Sequence, residues 1–207
     1  ALQGVGLDPD RRERFNAISQ ELAELATRFT NNVLDATQAF ALILTSPDEV
    51  QGIPEDALRL LAGKARPRGH PLATAENGPW AVTLDLPSFL PFMQHAARRD
   101  LREQAYRAYV TRAASGKSDN EPLIRRILEL RKEQAALLGF DNFAAMSLAR
   151  KMAPGVGEIE ALLRTIQDAA TDPALTDLIE LGELAAAGGQ PEEIQPWDVM
   201  YWSERLK

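Results

Sequence analysis

The chain contains no cysteine, which excludes disulfides, thiol nucleophiles and thiolate-bound metals from it. Histidine is almost as scarce. The two present, His70 and His95, stand far apart, one in a Pro/Gly-rich stretch and one near a predicted helix end. Neither has a partner at metal-ligand spacing, and both read as ordinary surface or boundary histidines. A His-Glu-x-x-His helix, whose histidines bind zinc one turn apart while the glutamate takes a proton from the bound water, is missing. So are a Gly-x-Ser-x-Gly nucleophile elbow and a phosphate-binding Gly-x-x-x-x-Gly-Lys-Ser/Thr loop. Gly4-Val5-Gly6 lacks the third glycine and the preceding strand of a dinucleotide fingerprint, and reads as a loosening of the chain before its first helix. The longest apolar runs, such as Phe40 to Leu44, fall far short of the roughly 20 residues that cross a bilayer. No membrane segment is expected. Ala1-Leu2-Gln3-Gly4 shows no basic or apolar signal-peptide region, and a cytoplasmic location is expected.

Positive charge is also in deficit. Lys and Arg number 23 against 30 Asp and Glu, a net charge of −7, which disfavours binding to a phosphate backbone. The local cluster Arg98, Arg99 and Arg102 is offset by Asp100 and Glu103, and reads as a solvated helix face. Carboxylate pairs such as Glu21 with Glu24 and Glu192 with Glu193 can do acid–base work only where burial separates their pKa values. They read as solvated charges.

What is present is the balance of a globular protein, 45% hydrophobic and 26% charged. From Asp10 to about Thr37 the positions Phe15, Ile18, Leu22, Leu25, Phe29 and Val33 recur by three and four, the stripe of a long amphipathic helix entered after Pro9. Residues 39–45 and 80–84 are apolar and partly β-branched, and predict two strands of a small ribbon. A short helix over Pro54–Ala65 lies between them, followed by a loop over 66–79 that is expected to be the most flexible part. Helices are predicted over Ser88–Ala96, Asp100–Ala113, Glu121–Leu138, Asn142 to about Lys151, Val156–Ala170, Pro173–Ala187 and from Pro196 towards Lys207. Asp119 or Asn120 caps the third of these and Gly139 ends it. The fold class is therefore all-α, mainly helical with one small two-stranded ribbon, and residues 1–207 form a single helical domain or a fragment of one. The run Leu86 to Met93 suits either a core or a peptide groove. Trp197, Met200, Tyr201 and Trp202 give the last helix an aromatic face that suits a core, a groove or an interface, and self-association through it is expected if it is exposed.

Several blocks carry a resemblance. They are Arg12–Asn16 with Glu21–Leu25 and Phe29–Ala36; Leu84–Pro87 with Pro91 and Met93; Leu101–Glu103, Tyr106–Tyr109 and Thr111–Ala113; and Asp119-Asn120. Leu137–Phe140, Asn142–Ala144, Ser147–Ala149, Lys151–Ala153 and Trp197-Asp198 with Tyr201 and Ser203-Glu204 complete the series. In this order they resemble the thimet oligopeptidase and oligopeptidase A family of zinc metallopeptidases, over nearly the whole chain. The resemblance implies an enzyme that encloses short peptides in a channel between two helical lobes. It also implies that the His-Glu-x-x-His helix and a third, glutamate ligand lie downstream of the Trp-Asp-x-x-Tyr segment. On that basis this chain supplies scaffold and channel wall, holds no catalytic residue, cofactor or metal ligand of its own, and is inactive alone, with zinc in the full-length parent and the missing catalytic lobe as its partner. Two other readings stay open: a stand-alone helical module that binds peptides or proteins, and an enzyme built from these carboxylates or an imported metal site.

Overall fold

The computed structural model describes residues 3–190 and 193–207. It is mainly helical, with eight α-helices and one two-stranded antiparallel sheet among those residues. In chain order these are α1 (Pro9–Ala39), β1 (Leu42–Leu44), α2 (Glu55–Ala65), β2 (Trp80–Val82), α3 (Leu86–His95), α4 (Arg99–Val110), α5 (Glu121–Leu137), α6 (Phe143–Leu148), α7 (Val156–Ala187) and α8 (Pro196–Leu206). The chain groups into two compact units, one of residues 1–32 with 114–174 and one of 33–113 with 175–207.

In the first unit α1 and α5 run antiparallel. Ile18, Leu25, Leu123 and Leu130 are buried between them, with Leu22, Phe29, Ile127 and Leu137 packed alongside. These are the stripe positions the periodicity marks on α1. Polar contacts fix the register along one side of the seam: Arg14 makes two bonds of 2.6 Å to Glu133, and Arg126 reaches Glu21 at 2.6 and 3.0 Å. Glu21 is thus one arm of a paired seam, and the hydrogen bond from Arg126 is what holds its carboxyl below the ordinary range.

Asn120 differs from its expected role. It stands at the N-cap position of α5 without a capping bond, and Asp119 instead accepts from the Glu121 N–H at 2.9 Å. The Asn120 amide, 3% exposed, donates to the Phe29 carbonyl at 3.1 Å and accepts from the Asn32 amide at 2.8 Å. Replacing it with alanine removes both bonds to α1, and a loss of about 0.5–1.5 kcal/mol for each in denaturant unfolding is expected. Asn120→Asp, which cannot donate to the Phe29 carbonyl, should be no better.

At the other end of α5, Gly139 adopts φ 80°. The Gly139 and Phe140 amides donate back to the Ala136 and Ala135 carbonyls at 3.1 and 3.0 Å, a Schellman closure. Gly4 does more than loosen the chain, because a Cβ there would come within 2.9 Å of the Phe15 ring.

The second unit is built on the ribbon, with Leu42 opposite Val82, Ile43 opposite Ala81 and Leu44 opposite Trp80. α2, α3 and α4 close over it around Trp80, Val82, Phe89, Phe92 and Met93, all buried. The Leu86–Met93 run is therefore mainly core, leaving Leu86 and Leu90 exposed. The 66–79 loop, expected to be the most flexible part, is cross-braced. Arg66 donates to the Ala73 carbonyl at 3.1 Å, Thr74 and Gly78 exchange backbone bonds, and the Trp80 indole donates to Ala75 at 3.0 Å.

α7 departs most from expectation. Two helices broken before Pro173 are predicted, but one helix runs from Val156 to Ala187 with Pro173 inside it. A proline forfeits one backbone bond and crowds the preceding turn. Here Ala169, Ala170 and Ala174 flank it, and such strong helix formers let the helix propagate past a single lost bond.

Candidate functional site

The most elaborate polar arrangement lies in the second unit, where α8 meets α4. Pro196 opens α8 at a position where its missing N–H costs nothing, and the Asp198 carboxylate folds back to accept from the Gln195 N–H at 3.1 Å. The same carboxylate, completely buried, accepts from Arg102 Nη2 at 2.8 Å, from Arg99 Nε at 3.0 and 3.2 Å, and from Gln190 Nε2 at 3.3 Å. Arg99 and Arg102 are one helical turn apart on α4 and so face the same way.

Arg102 is 1% exposed, and four of its five N–H groups have acceptors. It donates to the Ala96 and Ala97 carbonyls that end α3, at 2.8 and 3.2 Å, and to the Trp197 carbonyl at 3.3 Å. Its guanidinium also lies 4.0 Å from the Tyr201 ring centre, with Arg205 at 3.3 Å from the same ring. Trp197 is flanked by Arg107 at 4.9 Å and Arg99 at 5.8 Å, with Tyr106 tilted against it. Its buried indole N–H has no acceptor among the described residues. The network ends at Trp202, whose indole donates to Gln190 Oε1 at 3.0 Å while Leu181 and Ala185 of α7 pack with it.

This overturns the reading of Arg98, Arg99 and Arg102 as one solvated face. Arg98 pairs with Asp100 and Arg107 with Glu103, but Arg102 and Arg99 turn inward to an anion about a hundred residues on. The aromatic face of α8 is corrected likewise: Trp197 and Trp202 are buried within the chain, Tyr201 is half-buried, and Met200 is 38% exposed.

Burial pushes the Asp198 carboxyl up, but the hydrogen bonds from Arg99 and Arg102 outweigh it and hold the group below the usual carboxylate range. A carboxylate held charged by two guanidiniums and closed to solvent can neither take up nor release a proton near neutrality. The cluster joins α3, α4 and α8.

Beside the joint, the C-terminal turns of α7 and the start of α8 form an apolar groove of about 810 Å³, lined by Leu175, Leu178, Ile179, Gly182, Ile194 and Val199 among others. His70 lies half-buried in the braced loop and His95 half-buried at the end of α3. Among the described residues, no three His, Asp or Glu side chains are grouped to hold a metal ion. No described helix is long and apolar enough to cross a membrane. Of the pair Glu192 and Glu193, Glu192 lies outside the described residues. Glu193 is exposed, and its carbonyl accepts from Arg99 at 3.3 Å.

Comparison with known proteins gives a consistent picture. Residues 92–207 match the family described as Peptidase family M3. The whole chain is 48% identical over 208 residues to the "Probable cytosolic oligopeptidase A" of Arabidopsis thaliana, covering 30% of that protein. It is 39% identical over 211 residues to "Oligopeptidase A" of Escherichia coli, again covering 30% of it, and 26% identical over 207 residues to that organism's "Dipeptidyl carboxypeptidase". The chain thus spans about 30% of the length of the relatives it matches.

Proposed function

The chain belongs to peptidase family M3, and from that premise we propose that it is one part of a zinc-dependent oligopeptidase that hydrolyses short peptides. In this reading it supplies helical scaffold and a wall of the substrate channel, and peptide hydrolysis belongs to the parent protein. The observation that carries the reading is the alignment of the entire chain with oligopeptidase A proteins of about three times its length. The zinc implied by the family has no fitting donor set among the described residues, so we assign no step of hydrolysis to them. What they contribute is rigidity. The Asp198 joint fixes α8, the helix on which the family resemblance ends. A cytoplasmic location belongs to the same proposal.

The test pairs metal content with cleavage of a short fluorogenic peptide, using the purified 207-residue chain with added zinc and then the longest product of its gene. The short chain should be silent and zinc-free after dialysis, and the longer product should cleave in a zinc-dependent way. Chelator-sensitive cleavage by the short chain would overturn the proposal. Silence of both, with no longer reading frame, would replace it with a stand-alone peptide- or protein-binding module.

A further inference from the structure

The groove between the end of α7 and the start of α8 has an unusual electrostatic setting. Its walls are apolar and open: Leu175 is 55% exposed, Leu178 43% and Ile179 63%. At its floor Gly182 faces empty space, with nothing within 4 Å of where a Cβ would stand. The spacing 175, 178/179, 182, 186 is that of one continuous stripe on a helix. A glycine in the middle of such a stripe lets a second helix approach closely.

The charged side chain that lines the groove is Glu193, and Arg99 of α4 donates to its backbone carbonyl at 3.3 Å. No Lys, Arg or His occurs between Arg164 and Arg205. Glu183 follows Gly182, which at about 100° per residue places it on the outer flank of the stripe. Glu193 lines the opposite wall. Glu183 and Glu193 are exposed, and neither has a cationic partner among the ion pairs of the described residues.

We infer that this groove is the seat of a cationic amphipathic helix, with an apolar ridge flanked by Lys and Arg, contributed by the part of the parent polypeptide that lies outside these residues. The inference rests on the chain being a segment of a longer protein. An apolar ridge of i, i+3/i+4, i+7 anchors fills such a groove, and flanking cations neutralise its acidic rim. A second copy of this chain fits worse, because presenting the same groove would set acid against acid.

The test begins with the purified chain and a synthetic helical peptide of leucine and lysine, with a leucine/glutamate peptide of the same pattern as the control. Binding of the cationic peptide alone is expected, weakening as salt rises. It should fall at least about tenfold in Leu178→Asp and in Glu183→Lys/Glu193→Lys. These side chains are exposed, so an unchanged unfolding midpoint separates lost docking from lost folding. Equal binding of both peptides, or of the variants, would overturn the inference. So would a dimer of the free chain that Leu178→Asp dissociates.

The source is tested with Leu178→Cys, following thiol labelling at that position by mass spectrometry. Labelling should be fast in the 207-residue chain and slowed at least about tenfold in the longer gene product; equal rates would overturn the assignment to the same polypeptide. Neither readout requires catalysis, so a failure of the peptidase proposal is seen in the cleavage assay and a failure of this one in binding and labelling.

Discussion

Asp198→Ala is expected to lower the unfolding free energy by about 3–5 kcal/mol, because it leaves a guanidinium buried without its counter-ion. Arg102 is 1% exposed and Asp198 completely buried, so water cannot take over the missing partner. The neutral bonds from Arg102 to Ala96, Ala97 and Trp197 carbonyls remain but carry no opposing charge. Trp80, Trp197 and Trp202 all fall within residues 33–113 and 175–207, so tryptophan fluorescence in urea reports the unit that contains the joint. The double change Arg102→Met/Asp198→Leu removes both charges and should recover most of the loss, since a buried pair replaced by apolar groups is often neutral. If the single and double variants were equally unstable, side-chain packing rather than charge would be the cause. The acid limb gives an independent sign. A carboxyl held below its ordinary value contributes stability above that value and loses it as pH falls through the lower, folded one. Other carboxylates, such as Glu49 and Asp85, are held low too. The difference between wild type and Asp198→Asn isolates this one: stability lost by the wild type on acidification below about pH 4 should be much smaller in the variant.

Periodicity made much of the helical frame legible, because the amphipathic stripe on α1 is a local fact written at intervals of three and four. Blocks such as Leu84–Pro87 and Trp197-Asp198 carried the family resemblance. What could not be read was the partner of each charge. Asp100 and Glu103 stand close in sequence to Arg98, Arg99 and Arg102, yet Asp100 is taken by Arg98 and Glu103 by Arg107. The anion that draws Arg102 inward is about a hundred residues away. Nothing local signals that distance, although Asp198 just inside a proline-started helix could have been read as a capping residue. Pro173 misled for the opposite reason. Its local rule is sound, but one missing backbone bond is small beside the turns of helix formed on either side. The aromatic content of α8 was visible, but not that Trp197 and Trp202 would be spent inside the chain.

Trp202→Ala is the second large expected loss, again about 3–5 kcal/mol. The indole is buried against Leu181 and Ala185 and meets the Tyr201 ring edge-on at 5.1 Å. Its N–H is the bond that carries the Asp198 network through Gln190 to α7. Removing it opens a cavity and takes away the indole donor to Gln190 Oε1. The reciprocal site is Gly188, where a Cβ would lie 2.4 Å from Trp202 Cη2. Gly188→Ala alone should therefore cost about 1–3 kcal/mol by overpacking. Combined with Trp202→Ala the ring clash is gone and the milder 3.3 Å approach to the Leu184 carbonyl remains, so the two costs should fall short of additivity by most of the glycine term. Trp202→Phe tests the remaining part, because it keeps the ring stack and omits the donor. A cost well below that of alanine would assign most of the effect to packing; equal costs would assign it to the hydrogen bond at Gln190. Should the alanine double variant prove fully additive, Gly188 would be required for backbone reasons and not by the ring above it. The close approach of α7 to α8, which shapes one wall of the acidic groove, would then need another cause.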